Sequence, residues 1–364
     1  MLSNRLDGKY PINNSFSIKE IFTFGKLCTK YFSKTDNGIK EIKEDKMKVT
    51  EHIKRAKGKT LFTIEILPPL KGENISKLYN NLDPLMEFKP PFIDVTYHRE
   101  EYFYKKKENG LLEKISRRKR PGTVGICAAI QNHYKVDTVP HIICGGFTRE
   151  ETENALIDLQ YLGIDNVLAL QGDAIKTELR FVPEPGGHSY ASDLISQIVA
   201  MNNGFFLHEE VANASPTSFC IGVAGYPEKH AFSPNLKSDL KRLKFKIDQG
   251  ADYIVTQMFF NNQSYFNFVD LCRKEGITVP IIPGIKPITS KAQTNILPTV
   301  FHIDLPEVLV NEIEKSKSNE ATKEIGIEWA INQSKELIKF GVPSLHFYSM
   351  GKSDPIYKIA AALF

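Results

Sequence analysis

The sequence predicts an α/β fold: a (β/α)8 TIM barrel with an extra helix late in the chain and an N-terminal extension. Three observations carry that expectation. Eight short runs of β-branched, aromatic and aliphatic residues recur from Thr60 onward, separated by helix-patterned stretches. The runs are apolar at successive positions, as parallel strands covered on both faces are. The first run closes on Leu67-Pro68-Pro69, where an open dinucleotide-binding sheet would carry G-x-G-x-x-G. Strand–helix units filling about 300 residues match the size of a barrel.

Residues 1–46 mix Asn, Ser, Lys and acidic side chains with isolated apolar pairs such as Ile21-Phe22. A short helix near Ile18–Phe32 would have no partner face, so 1–46 reads as a poorly ordered extension or as an in-frame stretch upstream of the true start. Glu20, Glu41, Glu44 and Asp45 count against a targeting peptide. Met47-Lys48-Val49-Thr50-Glu51-His52-Ile53 has helical apolar spacing and opens the barrel domain, expected over 47–364. The candidate strands are Leu61–Leu67, Phe92–Tyr97, Thr138–Cys144, Asn166–Leu170, Phe219–Ala224, Tyr253–Met258, Ile281–Ile285 and Leu345–Ser349. Thr148-Arg149-Glu150-Glu151 is a capping-box entry to a helix that Gly163 ends. Ser192-Asp193 and Asn262-Gln263-Ser264 are further entries, and Gly250 and Gly276 are stops. Glu101–Gly122 reads as a long polar insertion, and Pro306–Ser318 as an extra helix after the seventh strand.

Of 364 residues, 41% are hydrophobic and 25% charged, an ordinary globular composition. The 47 basic and 43 acidic residues leave a net charge of +4, which demands neither nucleic acid nor an anionic membrane and suits a polyanionic small molecule. The basic run Arg117-Arg118-Lys119-Arg120 reads as a solvated loop first and a phosphate contact second. Cys28, Cys127, Cys144, Cys220 and Cys272 are scattered without CxxC spacing, so a reducing compartment is expected and the cytoplasm is the default. No apolar run approaches the roughly 20 residues needed to span a bilayer, and the N-terminus carries no secretory signature. No metal site is expected, since H-E-x-x-H and comparable spacings are absent; so are G-x-S-x-G and the phosphate loop G-x-x-x-x-G-K-[ST].

A barrel places its chemistry at the C-terminal strand ends, so polar residues within or just after apolar runs are the candidates. Glu65 lies in Thr63-Ile64-Glu65-Ile66-Leu67. A carboxylate flanked by isoleucines is costly to bury unless paired or protonated. It is either a general acid with a raised pKa or half of a rim ion pair. Asp173 follows the fourth strand in Leu170-Gln171-Gly172-Asp173, where glycine lets the backbone approach a ligand, although Gly-Asp is also a common turn. Gln257 ends the sixth strand beside Phe259 and Phe260. Packing accounts for the phenylalanines and leaves the amide unexplained. Thr96-Tyr97-His98 and His141 lie at similar depths, His141 being as readily a satisfied structural histidine as a ligand contact.

These residues resemble the signatures of the methylenetetrahydrofolate reductase family over roughly residues 47–364. The first strand, Phe62-Thr63-Ile64-Glu65-Ile66-Leu67-Pro68-Pro69, is similar to the family's F-x-x-E-x-x-P-P segment, whose Glu is the catalytic acid. Asp94-Val95-Thr96-Tyr97 and Val139-Pro140-His141 follow. Next come Leu168-Ala169-Leu170-Gln171-Gly172-Asp173 and Tyr190-Ala191-Ser192-Asp193-Leu194, the most specific pair. Ala224-Gly225-Tyr226-Pro227-Glu228-Lys229-His230, with Asp239-Leu240 and Lys246, is nearly as telling. Thr256-Gln257-Met258-Phe259-Phe260, Ile282-Pro283-Gly284-Ile285 and His346-Phe347-Tyr348-Ser349-Met350 complete the order. The type resembled is the bacterial, single-domain catalytic one, without the C-terminal regulatory domain of eukaryotic members.

The resemblance implies FAD across the barrel mouth, contacted by Thr96, His141, Gln171, Gly172, Asp173, Tyr190, Ala191, Tyr226, His230, Asp239 and Lys246. It implies a folate substrate at Glu65, Asp173, Gln257, Gln293 and Lys352, NADH or NADPH as co-substrate, and 5-methyltetrahydrofolate as product. Glu65 and Asp173 would be the catalytic pair, the first protonating a ring nitrogen and the second stabilising the resulting cation. No nucleic-acid or membrane partner is implied, and a homo-oligomer is the expected assembly. Gln171 and Lys352 stand where many members carry Arg, Phe245 where some bacterial relatives carry a basic residue, and the insertion Glu101–Gly122 is absent from the shorter bacterial members. Lys keeps the charge of Arg without its bidentate fork. Two rival readings are a barrel reductase using a deazaflavin-type carrier and a non-catalytic pterin-binding barrel.

Overall fold

In the computed structural model, residues 46–175, 178, 180–208 and 210–364 are described. The short helix expected near Ile18–Phe32 lies outside them, as does the extension up to Asp45. Eight parallel positions form the barrel: β1 Leu61–Ile66, β2 Phe92–Val95, β5 Asp137–Ile143, β6 Asn166–Leu170, β7 Cys220–Gly225, β8 Tyr253–Thr256, a seventh strand in two pieces, and β11 Ser344–Tyr348. The split strand is β9 Ile281–Ile282, paired with β8, and β10 Gly284–Ile285, paired with β11. Pro283 between them has no N–H for the ladder, and its carbonyl accepts from the His346 N–H at 3.1 Å. β1 pairs with β11 on one side and β2 on the other, and the ring closes through the two halves of the seventh strand. The expected barrel is therefore present, each strand falling on its apolar run.

The helices between strands are α1 Val49–Arg55, α2 Ser76–Leu82, α3 Thr123–Tyr134, α4 Arg149–Tyr161, α5 Ala191–Asn202, α6 Leu236–Asp248 and α7 Asn262–Lys274. Then come α8 Gln293–Phe301, α9 Glu307–Lys315, α10 Asn319–Phe340 and α11 Asp354–Ala361. The Thr148–Glu151 capping box opens α4 as its sequence implies, with the Glu151 N–H donated to Thr148 Oγ1 at 3.2 Å. Two expectations change. Two short helices, α8 and α9, follow the seventh strand where one was expected. The polar insertion folds as an antiparallel hairpin, β3 Glu101–Lys106 with β4 Leu112–Arg117. Its turn is closed by the Leu111 N–H to Asn109 Oδ1 at 3.1 Å and by Gly110 at φ +79°, the left-handed conformation an Asn-Gly turn supplies.

Strand alternation sorts the side chains. Phe62, Ile64 and Ile66 of β1, and their equivalents around the ring, pack outward against the helices. A smaller set fills the interior: Phe92, Val139, Leu168, Cys220, Tyr253, Val255 and Ile282, with Val49 of α1 beneath them. So α1 plugs the N-terminal end of the barrel. Asn166 locks it there, accepting from the Val49 N–H at 2.8 Å and donating to the Met47 carbonyl at 3.1 Å. His52 Nε2 lies 2.7 Å from Asp137 Oδ2. Asn166→Ala would leave the Val49 N–H and the Met47 carbonyl without this partner, at a cost of about 2–3 kcal/mol. A fall in Tm of about 5 °C is expected by calorimetry, and an unchanged Tm would show that the plug is held by apolar contact alone. Among the described residues no helix is long and apolar enough to cross a membrane.

Candidate active site

Apolar plugging stops partway up the barrel, and polar side chains take over the inward positions above it. On β1 these are Thr63 and Glu65, on β2 Asp94, on β5 His141, and on β11 Ser344, His346 and Tyr348. His141 Nε2 sits between two carboxylates, 3.5 Å from Glu65 Oε2 and 3.6 Å from Asp94 Oδ2. Thr63 Oγ1 is 3.0 Å from His346 Nδ1 and 3.0 Å from Ser344 Oγ. Asp94 is wholly buried, and neither of its oxygens has a hydrogen-bond partner among the described residues.

Burial is the main force on the titratable groups of this cluster, because each is charged in one of its forms and little solvent reaches it. Burial lifts the Glu65 carboxyl to about 7; the neighbouring His141 opposes the shift, Asp94 reinforces it and Lys286 opposes it. Asp94 rises to about 6 by burial, against the pull of His346. Burial holds His141 and His346 below the usual imidazole value. Glu65 therefore keeps its proton close to neutral pH and can deliver it, as a general acid must.

Around this centre lies the rim. Thr96 follows β2, and its N–H donates to the Ile66 carbonyl at 3.1 Å. Gln171 donates its side-chain amide to the Ser189 carbonyl at 2.8 Å, tying the end of β6 to the segment before α5. Gly172 has φ +84°, and a Cβ there would stand 3.2 Å from Ile143, so backbone alone fits. Asp173 is exposed on the rim, and its charge reaches His98 after β2 and Tyr226 after β7. At the start of α5, the Tyr190 N–H donates to Asp193 Oδ2 at 3.1 Å; Tyr190 is 65% exposed and Ala191 begins the helix.

A second rim cluster follows β7. Tyr226 meets His230 edge-on with ring centroids 4.6 Å apart. Asp239 accepts from the His230 N–H at 3.0 Å and from Ser233 Oγ at 2.7 Å. Lys246 reaches from α6 to the Ala224 carbonyl at 2.7 Å, and burial brings its ammonium down to about 8, against Asp239. Burial also lowers His230; Asp239 opposes that shift, and Lys246, Arg242 and Lys229 reinforce it. Three cations and one carboxylate thus act on one imidazole.

Gln257 directly follows β8; its N–H donates to the Gly225 carbonyl at 2.8 Å. Gln293 and Lys352 stand apart from the buried centre, in a cleft of about 650 Å³ that Thr289, Ser290, Asn81 and Lys323 also line. The Gln293 amide oxygen accepts from the Thr289 N–H at 2.6 Å and the Ser290 N–H at 3.2 Å. A smaller cavity of about 180 Å³ between Pro68, Arg120 and Lys352 adjoins it. The sequence motifs contain Asp94 and His346 without giving either a place in the site, and Lys286 lies outside them. The signal was available: each is a polar residue beside β-branched or aromatic neighbours, the pattern that singled out Glu65.

Fold and rim define a (β/α)8 barrel whose C-terminal mouth joins a buried carboxyl–imidazole cluster to a cation-rich edge. The chain belongs to the methylenetetrahydrofolate reductase family, whose sequence model matches residues 48–363. It is similar to methylenetetrahydrofolate reductase (NADH) 1 of Arabidopsis thaliana, 32% identical over 316 residues that make up 84% of this chain and 48% of the plant protein. It is also similar to 5,10-methylenetetrahydrofolate reductase of Pectobacterium carotovorum, 29% identical over 86% of this chain and 94% of that protein. The chain spans about half the length of the eukaryotic relatives it matches. Among solved structures, an uncharacterised Clostridium thermocellum protein that binds two copies of 5-methyl-5,6,7,8-tetrahydrofolic acid shares the fold. Its TM-score is 0.52 at 16% identity, over 85% of this chain and 97% of that one.

Proposed function

We propose that the protein reduces 5,10-methylenetetrahydrofolate to 5-methyltetrahydrofolate with FAD as resident flavin and NADH or NADPH as hydride donor, a step of one-carbon metabolism that feeds methionine biosynthesis. The observation that carries this reading is Glu65, a carboxyl group raised to about 7 at the bottom of the barrel mouth. The residues present fit a flavin dinucleotide. Lys246, Arg242 and Lys229 around His230 suit a diphosphate, and Gly172 leaves bare backbone at the end of β6. FAD, when bound, supplies the hydride. Thr96, His141, Gln171, Tyr190, Ala191, Tyr226 and Asp239 complete the edge that would hold it.

The chain's own groups do the rest. Glu65 hands its proton to a folate ring nitrogen, which opens the five-membered ring and leaves a cation on the substrate. Asp173, on the rim, offsets that positive charge. Gln257 presents an amide to the bound ring system, and Gln293 with Lys352 takes the carboxylate end in the outer cleft. A coupled assay with NADH and NADPH on FAD-loaded protein tests the reading. Flavin absorbance with folate-dependent turnover is expected; a colourless protein that still reduces folate would mean a different hydride carrier, and pterin binding without turnover would mean a binding barrel.

The pH dependence follows from Glu65. The active form is the protonated one, so the folate half-reaction is expected to be flat well below pH 7 and to fall about tenfold per unit well above it. Single-turnover oxidation of the reduced flavin by folate checks this, and a rate that rose through pH 7 would require a base in place of the acid.

A further inference from the structure

Lys286 stands just beyond the broken seventh strand, and none of the roles above includes it. Gly284 pairs with His346 and Ile285 with Phe347, so Lys286 continues to the level of Tyr348. Tyr348 pairs with Glu65 on its other side. Glu65 and Lys286 therefore occupy one level of the barrel, two strands apart, with roughly 10 Å between their backbones at ~4.8 Å per strand. Ile285 packs outward with the helix-facing core, and alternation turns Lys286 inward. On the strand between them the Tyr348 hydroxyl donates to the Thr256 carbonyl at 2.6 Å, close against Gly284, which has no side chain to block it.

Lys286 is only 7% exposed and makes no hydrogen bond or ion pair with the described residues. Holding an ammonium this far from solvent is costly: burial lowers Lys286 to about 8, the Glu65 carboxylate opposes that shift, and Lys352, in the loop after β11, reinforces it. The groups facing Glu65 are His141 from β5, Asp94 from β2, Tyr348 from β11 and Lys286. With His141 held below its usual value by burial and Lys286 at about 8, Lys286 is the cation of the set at neutral pH.

We propose that Lys286 is a positioning residue for proton delivery by Glu65: its ammonium holds the carboxylate that Glu65 becomes when it protonates the folate ring nitrogen. The Glu65 O–H bond breaks, an N–H bond forms on the substrate, the electron pair stays on Glu65, and Lys286 neither gains nor loses a proton. Burial alone would make Glu65 a reluctant donor, since the charge it leaves behind would be poorly solvated. Lys286 supplies the compensating charge inside the barrel. This rests on the folate-reducing reading above.

The test has two readouts, each made on wild type, Lys286→Met, Lys286→Gln and Lys286→Arg. In stopped-flow oxidation of reduced flavin by methylenetetrahydrofolate, normalised to bound flavin, the two neutral variants are expected to lose about tenfold in rate below the midpoint. Their midpoint should move up by about one pH unit, the scale of one nearby charge at partial screening. Lys286→Arg should stay within about threefold of wild type, because it keeps the charge. In ¹³C-carboxyl NMR of the flavin-loaded protein, the Glu65 signal, assigned by its loss in Glu65→Gln, should titrate later in both neutral variants. A Glu65 midpoint that does not move in either neutral variant overturns the proposal, as does an arginine variant impaired as badly as the methionine one. If wild type shows no folate-driven oxidation at all, the reductase reading fails, while the NMR midpoints still decide whether Lys286 governs the Glu65 proton.

Discussion

Glu65→Gln is expected to cut folate turnover by ~10²–10⁴, about 3–5 kcal/mol of transition-state stabilisation, while nicotinamide-driven reduction of the flavin stays within about tenfold. The substitution keeps the volume of the side chain and leaves an amide beside His141, so packing around β1 is preserved. What it removes is the proton that burial stores on Glu65 near neutral pH. The first half-reaction needs no such proton, and menadione as electron acceptor reads it alone. Folate reduction at close to the wild-type rate would make Glu65 a structural carboxylate, and the proton would have to come from elsewhere in the mouth.

Asp173→Asn is expected to show a different split. Asparagine keeps the size and hydrogen bonding of the side chain and removes its charge, which should cost on the order of 10² in the folate half-reaction and weaken folate binding. The effect on reduction of the flavin should be smaller, because no cation develops on the nicotinamide side. Asp173 is exposed, so solvent screens it more than Glu65, and the smaller expected loss reflects that. Equal losses in both half-reactions would assign Asp173 to scaffolding of the rim.

The eight barrel strands were legible because buried parallel strands need no alternation; both faces are covered, and each reads as a continuous apolar run. For the same reason Glu65 stood out as a carboxylate among isoleucines. The hairpin β3–β4 was not legible as strands. It contributes nothing to the buried core, so its apolar residues are interleaved with charged ones and largely exposed, and Tyr102 and Phe103 lie under Lys114 and Arg117. The break at Pro283 was visible as a residue, but its consequence, a strand whose halves pair with different neighbours, depends on closure of the ring.

By itself the sequence determined the element order, the barrel, and the level at which polar groups replace apolar ones, because these follow from periodicity and from what each residue costs to bury. Only the tertiary structure decided which polar groups meet. Asp94, His141, His346 and Lys286 come from four different strand positions, at sequence distances that carry no trace of contact. Asp94, His141 and Lys286 meet Glu65, and His346 meets Asp94 beneath it, because parallel register sets their heights and alternation turns them inward. The pKa of Glu65 belongs to that convergence: one residue supplies the carboxyl group, and a closed barrel supplies the desolvation that keeps it protonated.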